Sequence, residues 1–301
     1  MFPFEKISGR NIRTARIKLA NGWSGRAVLS EASGKSFSKT DWADCLSQPQ
    51  LLFKDVEKIL KTEGQNCVAV KNLTVGASQL KVVIKRHCPA GGVRQFFRSF
   101  QPGKALRNFK TALKLLRCGI PTVAPFAAIY QRQNLLSKQS IYIAEYLENS
   151  SNLHAFASKM GTQQLSKKQL GRFALKKQLC RQLATILASL HHNGLWHRDS
   201  KASNFIVCED AAGRYRILLV DMDGIKRYFL WRKSRRFRSL WRLAASLMSI
   251  SVLNRTDYLR AFTTYCNLTG LEASQRRRIF RELTGRAQAK WLRTTGKATN
   301  K

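Results

Sequence analysis

Acidic side chains are scarce in this sequence. Its 301 residues include 17 Asp and Glu against 54 Lys and Arg, a formal net charge of +37 at pH 7. Such a charge attracts polyanions, among them nucleic acid, anionic lipid and phosphorylated glycans. It argues against a soluble cationic substrate, because like charges repel. Hydrophobic residues still make up 44% of the chain, so a packed core is expected rather than a disordered chain.

Other features are missing as well. The seven cysteines form no C-x-x-C pair and are odd in number, which favours scattered reduced thiols over a disulfide framework or a zinc site. The N-terminus lacks the basic-then-apolar pattern of a signal peptide. No apolar stretch approaches the roughly 20 residues that span a bilayer. These absences predict a cytosolic protein that meets a membrane only from its surface.

Hydrophobic periodicity predicts a strand-rich first part and a helix-rich second part. Strands are expected at 67–70, 80–84, 141–145, 205–207 and 217–220, with a turn near Gly76. Helices are expected at 51–61, 105–116, 166–192 and over most of the chain from 239 onward. In the long helix, Phe173 and Leu179 belong to one apolar face. The predicted fold class is α+β with two lobes, β-rich then helical.

The predicted organisation has three parts. Residues 1–45 form an N-terminal extension or the first strands of the N-terminal lobe. Residues 46–147 form the rest of that lobe, and residues 148–301 form a helical C-terminal lobe with a basic tail.

The strongest chemical signal is the tripeptide His197-Arg198-Asp199, followed by Lys201 and Asn204. This spacing matches the catalytic loop of protein kinases, H-R-D-x-K-x-x-N. Phosphoryl transfer needs a carboxylate that orients the attacking hydroxyl and accepts its proton, which is the role expected of Asp199. Lys201 is expected to neutralise charge on the transferred group. The tripeptide alone would be weak evidence, since such residues also cap helices and form turns.

Two further motifs follow the same order as in kinases. Asp221 comes seventeen residues after Asn204, at the end of an apolar strand, where kinases carry a metal-binding Asp. Asp221 and Asn204 are therefore the expected Mg²⁺ ligands. Upstream, the strand ending in Lys85 matches the V-A-I-K motif, whose Lys contacts the ATP phosphates. Asp223 is ambiguous: it could bind metal or substrate, or form a turn before Gly224.

With these motifs the chain resembles the lipopolysaccharide core kinases, which phosphorylate Kdo or heptose sugars. The resemblance rests on the basic segment 96–125 with its G-I-P-T, the hinge-like segment 143–148, and the short stretch after Asp221 without A-P-E. It implies a protein-kinase-like fold, ATP and Mg²⁺ as cofactors, and nucleotide contact at Glu145. It also implies an inner-core glycolipid acceptor at the cytoplasmic face of the inner membrane of a Gram-negative bacterium.

The distribution of charge agrees with an anionic acceptor. Residues 81–119 contain ten Lys or Arg and no acidic residue, and residues 226–301 contain 19 basic and three acidic residues. Six of the latter basic residues crowd positions 232–242. Basic clusters of this kind favour peripheral contact with an anionic membrane, although a solvated face would show the same composition.

The pattern departs from that of kinases in two places. Kinases pair the strand Lys with a Glu on the next helix, but no acidic residue occurs between Lys85 and Glu145. The family places that position near Asn108, which could bond Lys85 without supplying charge. The phosphate-covering G-x-G-x-x-G loop is also missing. We therefore expect weaker positioning of ATP, or another partner for Lys85.

Other functions remain open from sequence alone. One is an atypical kinase that acts on a protein or a small molecule. Another is a catalytically weak pseudokinase scaffold that binds anionic lipid or nucleic acid. A nucleic-acid partner is favoured only by charge, since no recognised RNA-binding or zinc-finger motif is present.

Overall fold

A computed structural model of the chain describes residues 12–30, 36–88, 103–133, 136–162, 169–210, 212–227 and 233–296. It divides into two compact units, one ending at Leu147 and one beginning at Glu148. Residues 1–11 and 31–35 of the predicted N-terminal extension, part of the basic segment 96–125 and the end of the C-terminal tail lie outside the described residues. The mixed α+β class is confirmed, with a sheet in the first unit and mainly helices in the second.

The described part of the N-terminal unit contains one antiparallel sheet and two α-helices. The strands are β1 (Arg13–Lys18), β2 (Trp23–Ser30), β3 (Lys58–Glu63), β4 (Asn66–Val75), β5 (Ser78–His87), β6 (Pro125–Gln133) and β7 (Leu136–Glu145). Their order is β1-β2-β6-β7-β5-β4-β3. The helices are α1 (Lys39–Cys45) and α2 (Lys104–Arg117), and a 3-10 helix spans Pro49–Phe53.

Each face of this sheet has its own core. Ala27 packs in the larger cluster, which includes the fully buried Trp42 of α1. The next residue, Val28, packs in a second cluster with Phe109 of α2. Neighbouring residues of a strand point to opposite faces, so α1 and α2 cover opposite sides of the sheet. Trp42 also donates a hydrogen bond from Nε1 to the Val28 oxygen at 2.7 Å.

The predicted hairpin at 67–84 is confirmed. β4 and β5 pair in continuous register from Cys67↔Arg86 to Val75↔Ser78. Gly76, in the turn between them, has a φ of 57°, a conformation that suits glycine. Alternate residues of β5, including Leu80, Val82 and Ile84, are buried, as the period of two predicts.

The prediction of a helix at 51–61 was wrong. Residues Pro49–Phe53 form a 3-10 helix, and β3 begins at Lys58 and pairs with β4. All six residues of β3 are exposed, including Ile59 at 60%. Leu52 is buried in the larger core cluster, but Ile59 and Leu60 are exposed. The helical spacing therefore has a core to face only at its start, and from Lys58 onward backbone pairing with β4 decides the structure.

In its described residues the C-terminal unit combines five short strands with five α-helices. The strands are β8 (Ser150–Asn152), β9 (Leu195–His197), β10 (Phe205–Glu209), β11 (Tyr215–Leu219) and β12 (Ile225–Arg227). The helices are α3 (Leu153–Thr162), α4 (Gln169–His192), α5 (Lys233–Ala245), α6 (Arg255–Thr269) and α7 (Ala273–Thr295). β10 lies between β11 and β8, and β12 pairs with β9.

Helix α4 forms the centre of this unit. Leu179, Leu183 and Ile186 are buried on the predicted apolar face. Phe173 was predicted to share that face but is 55% exposed. Its ring lies instead under the guanidinium of Arg260, 4.9 Å from the centroid, so the side chain is covered by a cation from α6 rather than by core.

A buried ion network joins α4 to α6. Asp257 is 4% exposed and accepts bonds from Lys176 at 2.8 Å and Arg260 at 2.7 Å. Asp257 also completes a capping box with Asn254 at the start of α6. Removal of its charge would leave two cations without a partner.

The described helices include none that could cross a membrane, because none combines enough length with enough apolar character.

Candidate active site

The His197-Arg198-Asp199 motif lies in a short loop after β9. Asn204 ends the 3-10 helix that follows the loop and is 5% exposed. Its side-chain amide donates from Nδ2 to the backbone oxygen of Asp199 at 2.8 Å, and its backbone N–H donates to the backbone oxygen of Lys201 at 2.9 Å. Asn204 therefore closes the loop that carries Asp199 and Lys201.

Asn204 also connects this loop to the second motif. Its backbone oxygen accepts a bond from the N–H of Val220 at 2.9 Å, one residue before Asp221. The pairing of β10 with β11, which includes Phe205↔Leu219, holds the two strand ends side by side. The spacing of seventeen residues thus brings Asn204 and Asp221 to the same edge of a hairpin.

Asp221 adopts a left-handed backbone conformation, with φ 61° and ψ 67°. For a residue other than glycine this conformation costs on the order of 1 kcal/mol and is maintained by its surroundings. The following 3-10 turn leads into β12, where Ile225 pairs with His197. Arg198 donates its N–H to the Gly224 oxygen at 2.7 Å. The two motifs are therefore held together by backbone bonds.

Gly224 makes room for His197. A Cβ at position 224 would overlap the imidazole ring, lying 2.7 Å from Nδ1. His197 is completely buried, and burial lowers its pKa to about 4, although the carboxylates of Asp221 and Asp199 favour the charged form. The ring is therefore neutral at pH 7 and acts as packing.

Asp199 is held between two cations. Arg242 donates from Nη2 to Oδ1 at 2.9 Å, and Lys201 Nζ lies 3.3 Å from Oδ2. Partial burial raises the pKa of Asp199, but the hydrogen bonds and charges of Arg242 and Lys201 outweigh it, so the pKa lies below its usual value. The carboxylate is ionised at neutral pH and fixed in orientation.

Helix α5 and the residue just beyond it hold the His197-Arg198-Asp199 loop at three points. Ser239 Oγ donates to the His197 oxygen at 3.2 Å, Arg242 binds Asp199, and Ser246 Oγ accepts from the Ala202 N–H at 2.8 Å. Positions 239, 242 and 246 follow the i, i+3, i+7 spacing of one helical face. The sequence alone placed Arg242 only within a basic cluster. The helical spacing of Ser239, Arg242 and Ser246 was the signal that could have distinguished Arg242 from the other basic residues of that cluster.

The donor atoms at this edge suit Mg²⁺. Asn204 uses its amide nitrogen for Asp199, which leaves its amide oxygen as the atom that can bind a cation. Together with the Asp221 carboxylate, this gives two hard oxygen donors, a number that suffices where substrate phosphates complete the shell. Among the described residues no group of three or more His, Cys, Asp or Glu could hold a metal ion. The site therefore fits a nucleotide-bound metal rather than a closed metal centre.

Lys85 lies on β5 in the N-terminal unit and is half-buried. It pairs with Tyr142 of β7, and directly paired residues share a face of the sheet. Tyr142 packs against the cluster that contains Phe109 of α2. Lys85 is thus on the face covered by α2, the helix that would carry the missing Glu.

Asn108 is 3% exposed on α2 and therefore does not point into solvent. The neighbouring Phe109 packs on the sheet face shared by Lys85. The buried position agrees with the expectation that Asn108 faces Lys85, and a bond between the two side chains stays a prediction.

Glu145 and Asp223 occupy less informative positions. Glu145 ends β7 and pairs with Val82, three residues before Lys85, so its side chain is on the opposite face of the sheet. Its backbone N–H is bonded to the Ala124 oxygen at 2.9 Å. Asp223 is half-buried within the 3-10 turn after Asp221, and its role stays open.

These features define a protein-kinase-like fold. A solved structure described as "WaaP in complex with acyl carrier protein" aligns with a TM-score of 0.54 and 19% identity, covering 80% of this chain and 92% of that one. The kinase domain of a Toxoplasma gondii rhoptry antigen aligns over 76% of this chain and 82% of that one, with 14% identity and a TM-score of 0.47. No curated protein matches the chain.

The family is defined by a sequence model. The model of the lipopolysaccharide kinase (Kdo/WaaP) family matches residues 91–265, more than half of the chain. The chain belongs to this family, and the resemblance found in its motifs is confirmed. It is accordingly a kinase, a phosphotransferase of lipopolysaccharide biosynthesis.

Proposed function

We propose that this kinase transfers the γ-phosphate of ATP to a sugar hydroxyl, on Kdo or heptose, of the lipopolysaccharide inner core. The observation that carries the proposal is Asp199, an ionised carboxylate fixed by Arg242 at 2.9 Å in the H-R-D loop of a member of the lipopolysaccharide kinase family. A fixed carboxylate can orient an acceptor hydroxyl and take its proton as the phosphoryl group is transferred.

The catalytic roles fall to neighbouring residues of this loop. Asp199 is the base, and its lowered pKa keeps it ionised at neutral pH. Lys201 is 48% exposed and lies 3.3 Å from Asp199, so its flexible ammonium can turn from the carboxylate to the incoming phosphoryl group. This movement would free Asp199 on one side while Arg242 continues to hold it on the other.

Nucleotide and metal roles are assigned by the motifs. Asn204 and Asp221 would hold Mg²⁺, which neutralises charge on the phosphates. Lys85 would contact the phosphates from β5, and Glu145 marks the segment assigned to the nucleotide base. The division into a kinase N-lobe ending near residue 147 and a C-lobe from residue 148 is part of the same proposal.

The location follows from the acceptor and the charge. We place the enzyme at the cytoplasmic face of the inner membrane, in peripheral contact with anionic lipid. The excess of cations, +37 over the whole chain, supports attraction to such a surface, at about 1 kcal/mol per basic residue near it.

The proposal can be tested with γ-labelled ATP, Mg²⁺ and lipopolysaccharide whose inner core is unphosphorylated. Label should enter the glycolipid, and Asp199→Asn should reduce transfer by two or more orders of magnitude. Asp210→Asn is a matched control, because Asp210 lies in the β10–β11 turn with arginine partners of its own. Label in protein instead of glycolipid, or equal transfer by wild type and Asp199→Asn, would overturn the assignment.

A further inference from the structure

Two helices of the C-terminal unit bring many cations close to Asp199. Between Arg235 and Arg242, α5 carries four arginines and no acidic residue. The last three turns of α7 carry Arg286, Lys290 and Arg293, also without an acidic residue. The two helices pack against each other. Glu282 pairs with Arg286, and Asp199 pairs with Arg242, so the cations of the two helices outnumber the carboxylates paired with them.

Lys290 belongs to the side of α7 that faces the interior. Leu283 and Ala287 are buried, and Lys290 continues this stripe at i+4 and i+7. Its side chain is half-buried, whereas Arg293, three residues further along, is exposed. The stripe therefore ends in a cation at the margin of the packed helices.

The electrostatics place Lys290 near the catalytic carboxylate. Burial lowers the pKa of Lys290, and the nearby charges of Arg242, Arg293 and Arg238 lower it further, while Asp199 favours the charged form. Lys290 therefore lies within electrostatic range of three arginines of α5 and α7 as well as of Asp199. Their mutual repulsion is unfavourable unless an anion comes between them.

Arg242 adds a second sign of an unfilled site. Its Nη2 is bonded to Asp199, but its Nε is buried and has no acceptor among the described residues. Buried N–H groups normally have a partner, and a bound anion would supply one.

We propose that Arg238, Arg242, Lys290 and Arg293 bind an anionic group, a phosphate or carboxylate, that the acceptor carries close to the hydroxyl being phosphorylated. This inference rests on the proposed function and deepens it. The acceptor anion would bridge α5 and α7, and the adjacent hydroxyl would then lie at Asp199. The cluster would select acidic sugars over neutral ones, because a neutral acceptor leaves the cations unpaired.

This position favours an acceptor group over a membrane surface. Arg238 and Arg293 are exposed, but Arg242 and Lys290 are partly buried and Arg242 is bonded to the reacting carboxylate. The cluster therefore includes more than the exposed outer residues that a lipid surface meets. The exposed Arg281, on the earlier part of α7, has the character expected of such an outer residue.

The first test measures the anion site without catalysis. Inorganic phosphate is titrated into the full chain at low salt by calorimetry, for wild type, Lys290→Gln, Arg293→Gln and the matched control Arg281→Gln. Loss of one charge-assisted contact should weaken phosphate binding by about tenfold in the first two variants and leave the control within twofold of wild type. Equal affinities in Lys290→Gln and Arg281→Gln would refute the site.

The second test measures transfer, with unphosphorylated inner-core lipopolysaccharide as acceptor. Lys290→Gln should raise the KM for this acceptor by about tenfold and leave the KM for ATP unchanged. A rise in the KM for ATP alone would mean that the cluster binds the nucleotide and would overturn the inference.

The two tests separate this inference from the proposed function. The wild type could transfer no phosphate to lipopolysaccharide and yet bind inorganic phosphate more tightly than Lys290→Gln does. In that case the proposed acceptor is wrong and the anion site stands. If transfer occurs with an unchanged acceptor KM in Lys290→Gln, the proposed function stands and the anion site is wrong.

Discussion

The bond between Arg242 and Asp199 makes a specific prediction about catalysis. Arg242→Gln removes the charge that holds Asp199 Oδ1 at 2.9 Å, while Lys201 remains on Oδ2. A bond to a charged group contributes about 1.5–3 kcal/mol. The side chain of Asp199 is 42% exposed, so screening by solvent reduces the contribution of this bond to the lower end of that range, about 1.5 kcal/mol. If this energy positions the base in the transition state, kcat should fall by about tenfold.

The same variant should change the pH dependence. Arg242 keeps the pKa of Asp199 below its usual value, and the base acts as the carboxylate. Loss of the guanidinium raises that pKa, so the acidic limb of the kcat profile should move to higher pH. Arg242→Lys keeps the charge but not the planar fork, and should lose rate with a smaller shift of the limb.

The measurement is the pH profile of kcat, at saturating ATP and lipopolysaccharide, for wild type, Arg242→Gln and Arg242→Lys. Arg281→Gln removes one exposed arginine from α7 and should reproduce the wild-type profile. An unchanged acidic limb in Arg242→Gln would refute the assignment of Arg242 as the residue that positions Asp199 and sets its pKa.

Three further predictions concern stability and are checked by urea unfolding. Gly224→Ala should destabilise the chain by about 1–3 kcal/mol, because the added methyl group overlaps His197. Gly285→Ala, within α7 where a Cβ meets no neighbouring atom, should instead stabilise it by up to about 1 kcal/mol. A loss of stability of similar size in both variants would contradict the packing argument. Asp257→Asn should cost about 3–5 kcal/mol because the half-buried Lys176 and Arg260 lose the buried carboxylate that pairs with both. A loss below 1 kcal/mol would show that water compensates the two cations. Burial lowers the pKa of His191 to about 3 and that of His197 to about 4, so the two rings take up protons at higher pH in the unfolded chain than in the folded one. The free energy of unfolding that depends on these rings should therefore be complete above about pH 6.5 and be lost progressively toward pH 4. A flat stability profile over this range would show that the rings are charged in the folded chain.

The parts of the fold that sequence predicted are those with a local pattern. The β4–β5 hairpin alternates apolar and polar residues around Gly76, and α2 and most of α4 repeat their apolar residues at helical spacing. The edges of the N-terminal sheet were harder. β1 buries only Ala15 and Ile17 between basic and polar residues, and β3 buries nothing, so neither has a stripe that identifies it.

The candidate site divides in the same way. Asp199, Asn204 and Asp221 were predictable because kinase chemistry fixes their spacing along the chain. The contact of Arg242 with Asp199 joins residues 43 positions apart and depends on how α5 packs against the loop. Among many arginines of similar local sequence, only tertiary structure distinguishes the one that binds Asp199. The position of Lys290 and Arg293 of α7 near Asp199 could not be predicted for the same reason.

The close fit of Gly224 against His197 also has an evolutionary consequence. The two residues belong to different motifs, yet the ring occupies the space that any side chain at 224 would need. A substitution at position 224 therefore depends on the residue at position 197: a larger residue at 224 becomes tolerable only after 197 has become smaller. Across the family, a departure from glycine at 224 should appear together with loss of the imidazole at 197, so the pair should be inherited as a unit even where the surrounding loops diverge.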